Sequence, residues 1–224
     1  RLTHPNVITV YDVGVLDGQV FVSMELVVGE TLGQKLRGRG RRAWREVLAL
    51  FLSAGRALSA AHRMRVIHRD FKPDNVLVSH EGWVRVTDFG LAHVVLGEEL
   101  GENQAGPFGL PGTSEGLVTR TGALVGTLAY MAPEQLRGGK ADERSDQFAF
   151  CVSLYEGLYG GRPFIGSTPE ALAAAIEKGA AVPRDSRVPA WLRRVLLRGL
   201  RASPSERWPL RLVSPRRMNV GRYR

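Results

Sequence analysis

Val66-Ile67-His68-Arg69-Asp70-Phe71-Lys72-Pro73-Asp74-Asn75 holds the pattern H-R-D-x-K-x-x-N, in which an aspartate is followed by a lysine and an asparagine at fixed offsets. Eighteen residues after Asp70 stands Asp88-Phe89-Gly90, and further on Ala132-Pro133-Glu134. Each triplet alone is a weak signal, since an Asp-Phe-Gly is ordinarily just a turn. Three of them in this order and at these spacings are much harder to obtain by accident.

Composition bounds the setting. A chain of 224 residues, 44% hydrophobic, can bury a sizeable core. No apolar run reaches the roughly 18 residues that span a bilayer. The single cysteine, Cys151, excludes a disulfide framework and a Cys-rich zinc site, and it fits a reducing, cytoplasmic compartment. The net charge of +9 suggests nucleic acid until it is divided. Residues 184–224 carry 12 Arg against Asp185 and Glu206, a balance of +10, whereas residues 1–183 sum to −1. This basic end lacks interleaved aromatics and any docking motif, so no specific nucleic-acid partner is expected. The chain starts at Arg1 without a methionine or a signal-peptide pattern and reads as a fragment of a longer polypeptide.

Residues 7–15 and 19–26 gather β-formers around Asp17-Gly18, a good hairpin pair. Residues 27–33 leave the strand through two glycines, and residues 44–64 have apolar positions at helical spacing. Short β-rich pieces at 76–78 and 84–86 flank a turn. Residues 97–116, rich in Gly, Pro and Glu, read as a long surface loop. Helices are expected at 146–159, at 171–178 after Ser167-Thr168-Pro169-Glu170, and at 189–200. After Trp208 the periodicity collapses, and 209–224 reads as a disordered basic tail.

Two other patterns fail on context. Gly38-Arg39-Gly40-Arg41-Arg42-Ala43 matches a loose dinucleotide fingerprint, but it follows a polar basic segment instead of a strand. Gly112-Thr113-Ser114-Glu115-Gly116 matches a nucleophile elbow, but it lies in a Gly/Pro-rich stretch that cannot be a core strand.

The first set of motifs resembles the catalytic-loop, metal-binding and activation-segment signatures of eukaryotic-like protein kinases, closest to bacterial serine/threonine kinases. The resemblance runs from His4-Pro5-Asn6-Val7-Ile8 to about Arg207. It implies an α+β, protein-kinase-like fold: a mostly helical large lobe (34–208), a hinge (27–33) and a remnant of the small-lobe sheet (1–26). It also implies transfer of the ATP γ-phosphate to Ser/Thr hydroxyls of proteins, with Mg²⁺ or alternatively Mn²⁺. Asp70 would orient the substrate hydroxyl and accept its proton late, and Lys72 would reach the γ-phosphate. Thr127, in Gly126-Thr127-Leu128-Ala129-Tyr130, would bridge these two. Lys72 and this segment favour the serine/threonine branch over the tyrosine branch. Asn75 and Asp88 supply oxygen donors suited to Mg²⁺. Phe89 would pack to hold Asp88, and Gly90 would let the backbone turn.

Met24, Glu25 and Val27 resemble the gatekeeper and hinge against adenine, with Leu77 under the purine. His68 and Arg69 complete the catalytic-loop signature, and an Arg beside Asp70 points to control by phosphorylation. Thr119 and Thr121 stand at the matching positions of the activation segment, which makes autophosphorylation within a dimer a further expectation. Glu134 would pair with Arg207, and Asp146 would start the central helix. His62, His80 and His93 are expected to be structural or exposed.

The chain departs from the family at its ends. It has no phosphate-covering Gly-rich loop, no Val-Ala-Ile-Lys lysine and no helix glutamate to pair with it, so this piece alone is expected to be inactive. Arg65 stands where related chains often carry Gly, and Phe71 replaces the commoner Leu. Two alternatives follow: a pseudokinase-like module that binds a protein partner without catalysis, and a nucleic-acid binder using the arginine-rich tail.

Overall fold

Alternating β-formers at the front of the chain pair as an antiparallel hairpin of β1 (Val10–Leu16) and β2 (Gln19–Met24), with Leu16 opposite Gln19. The computed structural model describes residues 2–16, 19–38, 40, 42–89, 128–181 and 187–209. The Asp17-Gly18 turn, the loop 97–116 and the tail beyond 209 lie outside them. Tyr11, Val15 and Leu16 stay exposed on this hairpin. One tie to the rest of the chain runs through residues 6–8, where Val7 bridges Val86 in parallel and the Ile8 N–H donates to Val86 O at 2.9 Å.

The stretch 27–33, expected to be a connection, holds more structure than that. Gly29–Thr31 forms β3, antiparallel to β4 (Val76–Ser79), which pairs in turn with β5 (Val84–Val86). Gly29 permits this pairing, because a Cβ there would lie 2.1 Å from Val78 O. Thr31 then caps α1 (Leu32–Arg37) in a reciprocal capping box with Gln34.

The core is built by two long helices. In α2 (Trp44–Arg63) the positions Val47, Leu48, Phe51, Ala54, Leu58 and Ala61 are all buried, one stripe at helical spacing. It packs against α4 (Glu143–Tyr159), whose Phe148 and Val152 are fully buried. The helix α4 begins three residues earlier than expected. Asp142 is its N-cap and accepts from the Arg144 and Ser145 N–H groups. Asp146 therefore does not start the helix; it sits in the first turn with its carboxylate buried.

The remaining helices among the described residues are α3 (Pro133–Leu136), α5 (Pro169–Glu177), which Thr168 caps within the expected start segment, and α6 (Ala190–Gly199). Gly199 lets α6 approach α4 closely, since a Cβ there would lie 2.3 Å from Cys151 Sγ. Burial pushes the Cys151 thiol up to about 12, which leaves it a small apolar filler without nucleophilic character.

The last described turn is locked by Arg207, whose side chain is 0% exposed. Its five N–H donors all find oxygens: Nε donates to Arg201 O, Nη1 to Glu134 Oε1 and Arg144 O, and Nη2 to Glu134 Oε2 and Ala202 O. Burial would raise the Glu134 pKa, but the Arg207 guanidinium and the Ser145 hydroxyl outweigh it and hold the carboxyl below its usual range. This pair joins α3 to the chain segment after α6, as the resemblance implied.

Two outcomes follow, both read from urea-unfolding midpoints. Glu134→Gln removes the counter-charge of a buried guanidinium and should cost about 3 kcal/mol; a loss within the noise of a surface substitution would contradict this account. Arg65 ends α2 in the left-handed region at φ 59°, where a Cβ is penalised. Arg65→Gly should therefore stabilise by about 1 kcal/mol, and a destabilised variant would show that the arginine side chain is needed there.

Candidate active site

The loop between α2 and β4 owes its shape to Asp146. This carboxylate, only 1% exposed, accepts the His68 N–H at Oδ2 and the Arg69 N–H at Oδ1, both at 2.8 Å. His62 Nε2 lies 2.7 Å from Oδ2, a structural role for that histidine. Three partners compensate the cost of burying the carboxylate. The held backbone includes Arg69 at φ 69°, a strained conformation for a residue with a Cβ. Gln135 Nε2 donates to Arg69 O at 3.0 Å and secures the same residue from α3.

The next residues converge on Asp70. Lys72 Nζ donates to Asp70 Oδ2 at 2.7 Å. Pro73–Asn75 forms a 3₁₀ turn that brings Asn75 back towards Asp70, so that Asn75 Nδ2 donates to Asp70 O at 2.8 Å and to Oδ2 at 3.2 Å. The Asp70 side chain remains 44% exposed, so the carboxylate is both oriented and reachable. Asp74, a residue the motif reading passed over, ties this turn to α1 by accepting from Arg37 Nη2 at 2.9 Å and Thr31 Oγ1 at 3.3 Å.

Asp88 reaches the same region from β5. The Thr87 N–H donates to Asn75 O at 3.0 Å, which fixes the chain just before Asp88 beside Asn75. Thr87 Oγ1 lies 3.3 Å from Asp88 Oδ1, and Asp88 sits at φ 60°, a second strained position at the site. Phe89 places its ring 4.8 Å from that of His68, whose other side meets the Phe71 ring at 5.6 Å. Phe71 also lies 5.7 Å from Phe150, so the larger side chain at this position fills the space between the loop and α4. His68 is buried with no hydrogen-bond partner at either ring nitrogen among the described residues, and burial lowers its pKa. It is a neutral packing group.

The expected adenine-side residues are brought together in part. Met24 Sδ lies 3.9 Å from Thr87 Oγ1, one residue from Asp88. The Glu25 carboxylate turns to Arg85 Nε at 2.6 Å, and its N–H donates to Thr9 O. Val27 and Leu77 are half-buried, Leu77 on the strand that carries Asn75 into the sheet. Gly90, Thr119, Thr121 and Thr127 lie outside the described residues. Thr87 and Gln135 had no motif signal to announce them. Their side chains act through backbone groups and neighbours that only folding supplies.

The buried imidazole has a consequence for acid stability. Below about 6.5, the ordinary histidine value, the unfolded chain takes up a proton that folded His68 resists. Stability should then fall as pH drops through that value, and the fall should level off below the lowered folded pKa. His68→Leu should flatten the part of the unfolding-midpoint profile between neutral and mildly acid pH; an unchanged slope would mean His68 does not titrate differently on folding.

Comparison with known proteins agrees with this geometry. The family model described as protein kinase domain matches residues 1–214. The serine/threonine-protein kinase PknE of Mycobacterium tuberculosis is 35% identical over 212 residues, covering 93% of this chain and 34% of PknE. The serine/threonine-protein kinase PknL of the same organism is 38% identical over 189 residues, covering 84% of this chain and 42% of PknL. The tyrosine-protein kinase MasK of Myxococcus xanthus is 34% identical over 224 residues, covering 93% of this chain and 32% of MasK. The chain thus spans between about a third and two fifths of the length of these curated relatives. With a family model matched over nearly its whole length, and Lys72 and Asn75 gathered on Asp70, this α+β chain belongs to the protein kinase domain family.

Proposed function

We propose that this chain carries the catalytic region of a bacterial-type protein serine/threonine kinase, acting from ATP on Ser or Thr hydroxyls of proteins. The observation that carries this reading is the convergence of Lys72 Nζ and Asn75 Nδ2 on Asp70 Oδ2. Phosphoryl transfer asks mainly for positioning and charge neutralisation, and this arrangement offers both. Asp70 orients the incoming hydroxyl and takes its proton. Lys72, held by that carboxylate, is a cation within reach of the transferred phosphoryl group. Lysine at this position supports serine and threonine over tyrosine as acceptors, as in the names of PknE and PknL.

The donor set fits a divalent cation. Asn75 commits its Nδ2 to Asp70, which leaves its Oδ1 as an oxygen donor, and Asp88, next in the chain to the Thr87 N–H that bonds Asn75 O, adds a carboxylate. Oxygen donors of this kind suit Mg²⁺, with Mn²⁺ as a substitute. Bound there, the metal would neutralise phosphate charge, and Asn75 and Asp88 would hold it. Met24, Glu25, Val27 and Leu77 line the nucleotide side in this reading, with residues 1–26 as a small-lobe portion, 27–33 joining it to 34–208, and 209–224 as a basic tail. The same reading assigns Thr127 to the support of Asp70 and Lys72, and Gly90 to the turn after Phe89. Thr119 and Thr121 are autophosphorylation sites that Arg69 answers, within a cytoplasmic dimer. Among the described residues no helix is long and apolar enough to cross a membrane.

A second reading rests on the sequence itself. The 224 residues contain neither a Gly-rich phosphate loop nor a Val-Ala-Ile-Lys lysine. The alternative is a pseudokinase-like module that binds a protein partner without phosphoryl transfer. Fusing the PknE segment that precedes the matched region ahead of Arg1 separates the two readings. The fusion should incorporate labelled phosphate with Mg²⁺ while the 224-residue chain incorporates little, and Asp70→Asn in the fusion should lower transfer by about a thousandfold with ATP still bound. Near-full activity of the Asp70→Asn fusion would overturn the assignment of Asp70.

A further inference from the structure

Residues of α5, of α6 and of the turns that follow them line an open cleft that the phosphoryl-transfer reading leaves unused. Its volume is about 980 Å³, large enough for several side chains. Arg194 and Arg198 stand one turn apart on α6, and Arg201 follows just past its end, all three lining the cleft. Its acids are Glu177 and Glu206. Glu177 is already engaged by Arg137 Nη2 at 2.5 Å, so one uncompensated carboxylate faces three guanidinium groups. Arg198 is held in place, with its guanidinium carbon 4.1 Å from the Trp208 ring centroid and Nε donating to Glu206 O at 3.3 Å. Arg194 and Arg201 are exposed and have no carboxylate partner among the described residues. Beneath them lie apolar side chains: Ile176 and Leu200 are buried, and Leu197 is half-buried.

We propose that this cleft is a docking site for an acidic segment of a partner protein, bound in extended form with an apolar residue between its carboxylates. The guanidinium groups match carboxylates in geometry and charge, and the apolar floor gives the intervening side chain a place to go. Two other occupants fit less well. The chain's own residues 210–224 carry five arginines and no acid, so they repel this wall. A nucleic-acid strand offers phosphates but nothing apolar for Ile176, Leu197 and Leu200, and the aromatic face of Trp208 is already covered by Arg198. The site is independent of Asp70 and of phosphate transfer.

The test uses the 224-residue chain and a fluorescent probe peptide, Glu-Glu-Leu-Glu-Glu between glycines, followed by anisotropy. Arg194→Glu with Arg201→Glu should weaken the probe by about tenfold or more. A matched reversal on α2, Arg56→Glu with Arg63→Glu, should change it by less than about twofold. Replacing the probe's leucine by glycine should weaken it severalfold. All four arginines are exposed, so the variants should unfold at the wild-type urea midpoint. Equal losses for the two double variants would reduce the effect to net charge and overturn the site. So would no measurable binding of the probe, or tighter binding of a single-stranded oligonucleotide that the cleft variants abolish.

Discussion

The buried carboxylate of Asp146 is the constraint on which the loop carrying Asp70 depends. A segment that contains a positive-φ arginine next to Asp70 has no intrinsic reason to hold that shape. It holds because two consecutive backbone N–H groups, from His68 and Arg69, point at one carboxylate fixed in the first turn of the most buried helix. The carboxylate in turn tolerates burial because these donors and His62 surround it. The loop and the helix core therefore stabilise each other: loosening α4 would release the peptide before Asp70, and removing the loop would leave a charge without partners.

A second buried charge performs the same service at the other end of the large helical part. Arg207 spends all five donors on oxygens from α3, from α4 and from the turns after α6, and so binds three parts of the chain together. Gln135, on the same short helix as Glu134, reaches Arg69 O. The helix α3 is thus held by Arg207 at one residue and supports the strained peptide beside Asp70 through the next. Trp208 extends the lock, with Nε1 donating to Val195 O and its backbone N–H to Gln147 Oε1.

Of the three non-glycine residues in the left-handed region among the described residues, Arg69 and Asp88 flank the site and Arg65 stands at a helix end. The first two are over-determined by neighbours: Asp146 and Gln135 for Arg69, Thr87 and the packed Phe89 for Asp88. Arg65 is held by the ordinary hydrogen bonds of a helix terminus. Strain is thus concentrated where geometry must serve chemistry.

Much of this was legible in the sequence because it is local. The spacing within His68 to Asn75 foretells that a lysine and an asparagine can fold back on one aspartate, since two- and five-residue offsets leave few conformations. Helical period exposes the buried stripe of α2, and Thr168-Pro169 marks the start of α5. Even the long-range pair of Glu134 and Arg207 could be anticipated, through family resemblance. What the sequence could not declare depends on partners distant along the chain. Asp146 reads as a helix-start residue, yet Asp142 does the capping, which frees Asp146 to hold a loop some 77 residues away. Residues 29–31 read as a linker because their pairing strand comes more than forty residues later. Thr87, Gln135 and Asp74 carry no motif, because a hydrogen bond to another element leaves no pattern in one's own neighbours. Residue order along the chain determined the chemistry on offer at Asp70; only the packing of α4 against the loop decided where that chemistry points.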